Sequence, residues 1–239
     1  MSDLQLEKPL RRGDENGQVK LVQEWLCLQG EHVAIDGDFG PATESAVKDF
    51  QMKSSLAARG IVDAVTFGHL IAPMTAALAP IAVSGRSLGE LVVAYAAQHL
   101  RQHPREIGGQ NKGPWVRLYM DGHDGAEWAW CAGFACFCLK RACETLAEKI
   151  PIEPSFGCDE LAKSARENGR LVDHSAAGPG SFFLFRKSAG DWTHTGIVVS
   201  TSEETFRTIE GNTNDDGSRE GYEVCARIRS YKNMDFIRI

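Results

Sequence analysis

Apolar positions between residues 8 and 72 recur at helical spacing, in short runs broken by tight turns. Val19, Val22 and Leu26 fall on one stripe and Leu21, Trp25 and Leu28 on its neighbour, which predicts a first helix with Gly30 as its stop. The segment Ile35-Asp36-Gly37-Asp38-Phe39-Gly40-Pro41 follows. Gly37 and Gly40 suit a turn that needs positive φ, and Pro41 is placed to open a second helix with Ala42, Ala46 and Phe50 on one face. A weaker echo of the turn begins at Arg59-Gly60-Ile61-Val62-Asp63. Asp63 is a suitable N-cap for a third helix that buries Phe67, Leu70 and Ile71.

Residues 73–87, with Ala, two prolines and a Gly-Arg-Ser end, read as a linker that packs partly as helix. Helical periodicity returns at 88–100, where Leu88, Leu91, Val92 and Tyr95 are in register. Residues 108–127 are rich in Gly and polar side chains and read as loop. A further helix is predicted over 131–148, with Ala135, Leu139, Ala142 and Leu146 on one face. Beyond it, runs at 182–185, 195–200 and 205–209 are β-branched and aromatic, and predict an antiparallel sheet. Residues 211–217 read as a loop. The expectation is an α+β chain: a helical module at 1–75, a linker at 76–87 and a second domain at 88–239.

Composition narrows the function classes. Of 239 residues, 43% are hydrophobic and 24% charged, which fits a globular chain and not wholesale disorder. The formal net charge is −6 and no dense Lys/Arg run occurs, so nucleic acid and anionic lipid are poor partners. The apolar stretch at 74–83 is interrupted by Pro80 and is too short to span a bilayer, so no membrane anchor is expected. The N-terminal residues lack the apolar core and cleavage site of a secretory signal. Synthesis in the cytoplasm without a signal peptide is therefore expected. The seven cysteines are odd in number and lack paired C-x-x-C spacing, which argues against both a disulfide framework and structural zinc.

The candidate chemistry lies in the second domain. Cys131 falls at or near the start of a helix, where the dipole and free N–H groups favour a thiolate and could also hold an oxyanion. His194 stands near the start of the second predicted strand. Glu210 and Asn212 end the third strand and, by period-two alternation, share a face. If those strands pair as a hairpin, the Glu210 end lies beside His194. Thiol, imidazole and polar orienter in that order suit nucleophilic catalysis by cysteine. Singly, each has a bland reading: a buried thiol, a surface histidine, an exposed strand end. Trp128, Trp130 and Trp192 flank the thiol and the imidazole, either as packing or, for Trp130 and Trp192, as walls of a substrate groove. Glu127 is close enough to belong to a cleft. Asp121-Gly122-His123-Asp124-Gly125 has too few acidic oxygens for a calcium loop and reads as a polar turn.

Two resemblances attach to these motifs. Leu10-Arg11-Arg12-Gly13, Val19, Leu26, the turn from Asp36 to Thr43, Ala46-Val47 and Phe50-Gln51 resemble the peptidoglycan-binding three-helix module of many cell-wall hydrolases. In its second half Arg59 and Asp63 stand where Asp and Gly are usual. Trp130-Cys131-Ala132-x-Phe134, His194-x-Gly196-Ile197-Val198 and Glu210-Gly211-Asn212 resemble the CHAP group of papain-like amidohydrolases and peptidases, enzymes that cut peptidoglycan. This resemblance implies a papain-like domain with Cys131 as nucleophile, His194 as base, Glu210 as imidazole partner and Asn212 as a supporting polar group. No Gln lies just upstream of Cys131 to donate to an oxyanion.

Together these imply a monomeric peptidoglycan hydrolase that needs no cofactor or metal and cuts an amide of the stem peptide or of its junction to the glycan. Its partner would be bacterial peptidoglycan. Action on the cell wall would follow release through phage holin pores, as for an endolysin, or injection as a secreted effector. An immunity or secretion partner stays open. The alternative is a wall-binding protein whose papain-like domain is inactive.

Overall fold

The computed structural model describes residues 2–214 and 221–239. A short 3-10 turn at Ser2–Leu4 precedes three helices, α1 (Gly17–Leu28), α2 (Pro41–Lys53) and α3 (Ala64–Leu70). Each start follows from local chemistry. Asn16 caps α1, its side chain accepting from the N–H groups of Gln18 (2.9 Å) and Val19 (3.1 Å). A cap of this kind contributes about 1 kcal/mol. Pro41 opens α2, and Asp63 caps α3 through the Thr66 N–H at 2.8 Å.

The repeated turn has a common internal brace. The Gln23 side chain accepts from the N–H groups of Asp36 and Gly37 and donates to the Asp38 carbonyl and Thr43 hydroxyl. Gln51 does the same for the second turn, accepting from Gly60 N–H and donating to the Ile61 carbonyl and Thr66 hydroxyl. Both glutamines are almost fully buried, so each satisfies turn groups that water does not reach. Arg59 and Asp63 leave this plan intact, because Asp63 acts as the cap.

α4 (Ala72–Ala77) buries Met74 and Ala77 and overlaps the start of the segment read as a linker. The end of α4 and the irregular segment that follows are strapped to α5 (Leu88–Leu100): Gln98 donates to the carbonyls of Ala77 and Ala79, and the Tyr95 hydroxyl accepts from Ile81 N–H. Ser87 and Glu90 form a reciprocal capping box at the start of α5. α6 (Pro114–Tyr119) lies inside the region read as loop, and corrects that reading. Pro114 starts it, and Trp115, Val116, Leu118 and Tyr119 are buried. Six residues among glycines are too few to show periodicity.

α7 (Cys131–Leu146) and α8 (Cys158–Glu167) lead into six strands: β1 (Leu171–Val172), β2 (Phe182–Ser188), β3 (Asp191–Thr201), β4 (Thr205–Thr213), β5 (Glu223–Ser230) and β6 (Met234–Ile237). They form one antiparallel sheet in the order β1-β6-β2-β3-β4-β5. β4 runs on through Gly211, Asn212 and Thr213, which the sequence assigns to a loop; residues 215–217 of that expected loop lie outside the described residues. α7 packs against α5 on one side and against β3 and β4 on the other, so its N-terminus meets the middle of the sheet.

The helical module is docked on the α+β part through a charged and an aromatic contact. The Arg117 guanidinium on α6 donates to Asp3 (2.8 Å), Glu24 (2.6 Å) and Asp124 (2.8 Å). Trp25 of α1 meets Trp115 of α6 edge to face at 6.2 Å, and both are buried. Arg105 adds a bond to the Leu28 carbonyl that ends α1. One hydrophobic core therefore runs through both parts.

Candidate active site

Cys131 is the first residue of α7, and no side chain caps the helix there. The helix start is held from behind by Trp130. Its indole N–H donates to Glu106 at 2.8 Å and its ring stacks on Tyr119 at 5.5 Å. Trp130 is fully buried, so it supports the site from beneath and offers no face to a groove.

His194 is the fourth residue of β3, and Glu210 lies on β4. Antiparallel pairing brings His194 Nε2 to Glu210 Oε2 at 2.9 Å, and Glu210 is completely buried. With Nε2 so engaged, Nδ1 is the ring nitrogen left for the hydrogen bond between His194 and the Cys131 sulfur. Glu210 has further partners. Arg229 on β5 donates from Nε to Oε1 (2.5 Å) and from Nη2 to Oε2 (2.6 Å), and the Thr208 hydroxyl donates to Oε1 at 2.5 Å. The Phe183 ring packs against both His194 and the Arg229 guanidinium.

Two glycines make room for this relay. A methyl group at Gly196 would lie 2.7 Å from Glu210 Cγ, and one at Gly211 would lie 2.7 Å from Phe134 Cβ on α7. Glycine there lets β3 pass the carboxylate and lets β4 press against the helix that carries Cys131.

The electrostatics follow from these contacts. A hydrogen bond from the Cys158 thiol draws the Cys131 pKa down, burial pushes it up, and the His194 imidazole with the Thr195 N–H draws it down again. The result is well below the ordinary thiol range. Burial works against charge on His194, but its bonds to Cys131 and Glu210 outweigh this and lift its pKa to about 9. Burial also opposes ionisation of Glu210; Arg229 and then His194 overcome it and hold the pKa at about 2. His99 gives the contrast. It is equally buried, but its Nδ1 meets only the Tyr119 hydroxyl, and burial drives its pKa down to about 3. Partners, not burial, decide which histidine carries a proton.

The remaining expected site residues are placed as follows. Asn212 is buried, but the strand alternation breaks there: the β4–β5 pairing shifts between Glu210 and Thr213, and Asn212 has a left-handed φ of 52°. Its Oδ1 has no hydrogen-bond partner among the described residues. Trp192 is nearly buried, with its indole N–H on Asp235 at 2.8 Å and Arg166 over its ring. Glu127 is exposed. In the polar turn, Asp124 is held by Arg117 and His123 stacks on Trp128 at 4.2 Å. Among the described residues no group of three or more His, Cys, Asp or Glu side chains is arranged to hold a metal ion. A cavity of about 880 Å³ runs along α7 past Gly133, Cys136 and Phe137, and Cys131 is not among its lining residues.

Three contributors escape the sequence reading: Arg229, Thr208 and Cys158. Thr208 was in view by alternation with Glu210 on one strand. Cys158 carried the same helix-start signal as Cys131.

A helix-start thiol facing an imidazole, itself backed by a buried carboxylate on a paired strand, is the arrangement on which cysteine hydrolases operate. The family model described as a peptidoglycan binding domain matches residues 15–70, and that of the CHAP domain matches residues 121–212. The chain thus carries a segment that matches a peptidoglycan-binding module followed by one that matches a CHAP domain. A solved peptidoglycan-binding protein from Clostridioides difficile, in complex with glutamine hydroxamate, is 41% identical over 26% of this chain, with a TM-score of 0.26. The match spans 40% of that protein's length. No curated protein matches the chain. No helix among the described residues is long and apolar enough to cross a membrane.

Proposed function

We propose that the protein hydrolyses an amide bond of peptidoglycan through a thioester on Cys131. The observation that carries this reading is the Cys131–His194–Glu210 relay, with the thiol drawn below and the imidazole lifted above their ordinary pKa values. At neutral pH such a pair is thiolate and imidazolium.

The Cys131 thiolate attacks the amide carbonyl carbon. The oxyanion forms beside the uncapped N-terminus of α7, where free N–H groups and the helix dipole favour negative charge. His194 gives its proton to the departing amine as the C–N bond breaks, leaving the thioester. Neutral His194 then takes a proton from water, the hydroxide adds to the thioester, and the C–S bond breaks to release a carboxylate and the thiolate. Glu210 stays ionised throughout, clamped by Arg229, and holds the ring with Nδ1 towards the sulfur. Asn212, a supporting polar group, and Glu127, which is exposed, take no part in these proton transfers.

Digestion of purified sacculi with the wild type and Cys131→Ala, with products read by mass spectrometry, tests the reading. Free stem peptides with bare glycan identify cleavage at the glycan–peptide junction. Shortened or uncrosslinked muropeptides identify cleavage within the peptide. Wild type that releases nothing from any wall chemotype leaves only a wall-binding protein.

A further inference from the structure

The Cys131 sulfur has a second neighbour. The thiol of Cys158, first residue of α8, hydrogen-bonds to it. Two helices thus begin with cysteines whose side chains are hydrogen-bonded to each other. The approach is fixed by the fold, because Asp159, next along α8, accepts from the Trp192 N–H at 2.7 Å and so ties the start of α8 to β3, the strand that carries His194. Both residues are nearly buried, at 5% and 8% exposure. The other nearby thiol, Cys136, is turned away to the Ser155 carbonyl at 3.5 Å.

We propose that Cys131 and Cys158 form a reversible oxidation site that takes hydroperoxides, with Cys158 as the resolving thiol. The inference rests on Cys131 being a reactive thiolate, as the function proposed above requires. The thiolate attacks one peroxide oxygen: the S–O bond forms, the O–O bond breaks, and the leaving hydroxide or alkoxide is protonated. The Cys158 sulfur then attacks the Cys131 sulfur. The S–S bond forms, the S–O bond breaks, and the departing hydroxide takes the Cys158 proton to leave as water. The two sulfurs lose two electrons in all, and the peroxide gains them. While the disulfide persists there is no nucleophile. Because contacts at the helix starts stabilise the reduced thiolate, the disulfide is readily reduced by a dithiol, which restores the site.

Peptide mass mapping of the whole protein after hydrogen peroxide, with and without later dithiothreitol, tests this without relying on wall cleavage. The expected product has lost two hydrogens and links the Cys131 and Cys158 peptides, and dithiothreitol reverses both changes. In Cys158→Ser, peroxide drives Cys131 to sulfinic acid, which dithiothreitol does not reverse. Wild-type Cys131 found as sulfinic acid with Cys158 still free, or linked to Cys136, overturns the proposal. A disulfide formed by a protein that cuts no sacculi supports it and removes the hydrolase reading; sacculi cut with no disulfide does the reverse.

Discussion

Arg229 forks onto both oxygens of Glu210, at 2.5 and 2.6 Å, and the oxygen taken by its Nη2 is the one that also meets His194. The imidazole is therefore oriented by a carboxylate that is itself fixed by a guanidinium on the edge strand. Removing the fork leaves a fully buried carboxylate short of a cationic partner. Arg229→Met should cost about 3–5 kcal/mol of stability, as breaking buried ion pairs does, and should reduce turnover. Urea denaturation measures the first. An unchanged midpoint would show that the fork holds nothing in place.

The relay predicts an unusual thiol. Iodoacetamide should label Cys131 faster than the other six cysteines below neutral pH, where an ordinary thiol of pKa about 8.5 is almost wholly protonated. Cys136, pushed up to about 12 by burial, should stay unlabelled under the same conditions. Labelling that tracks an ordinary thiol titration would remove the activated nucleophile.

The same contacts set a pH window for stability. His194 rises in the fold to about 9 from 6.5, so its contribution is complete below pH 6.5 and fades as pH rises through 9. Glu210 falls to about 2 from 4.5, so its contribution is complete above pH 4.5 and fades as pH falls towards 2. The stability difference between wild type and Glu210→Gln should be flat from pH 4.5 to 6.5 and shrink on both sides. In the same variant the alkaline limb of activity should move to lower pH, since the imidazolium has lost its anion. A limb that stays at the wild-type position would mean Glu210 does not touch the titration.

Gly196→Ala places a methyl group 2.7 Å from Glu210 Cγ and 2.9 Å from the Phe183 ring. Overpacking of this kind costs about 1–3 kcal/mol, and displacement of the carboxylate should lower kcat more than it raises KM. Full activity in this variant would show that the carboxylate has room to spare.

The docked modules predict one cooperative heat-unfolding transition for the whole chain, with Arg117→Met lowering its midpoint. A fragment covering 88–239 leaves the buried Trp115 without Trp25 and should unfold at lower temperature. Calorimetry that gives two independent transitions, unmoved by Arg117→Met, would contradict this.

Much of the candidate site was legible because its geometry depends on local periodicity. A helix-start cysteine and two residues on hairpin-paired strands are fixed by spacings of 3.6 and 2. The turn glycines and the Asp63 cap were legible for the same reason. What was hidden depends on contacts distant in sequence. Arg229 sits in a strand with alternating arginines, which reads as a solvated edge until β5 pairs with β4. The Cys158 contact arises only where two helices converge. Trp130 and Trp192 read as groove walls by proximity in sequence, and what the sequence did not show is that their indole N–H groups bond to Glu106 and Asp235. Asn212 departs from alternation because a bulge interrupts its strand.

The Arg117 junction has a mechanical consequence. A tethered anchor lets its partner sweep every bond within reach of the leash. Here contacts at Arg117 and Trp115 join the two parts across one core, so if the chain cuts peptidoglycan as proposed, each landing on the sacculus should present only those bonds lying at one fixed offset and angle from the grip. Progress through the mesh would then come from letting go and landing again.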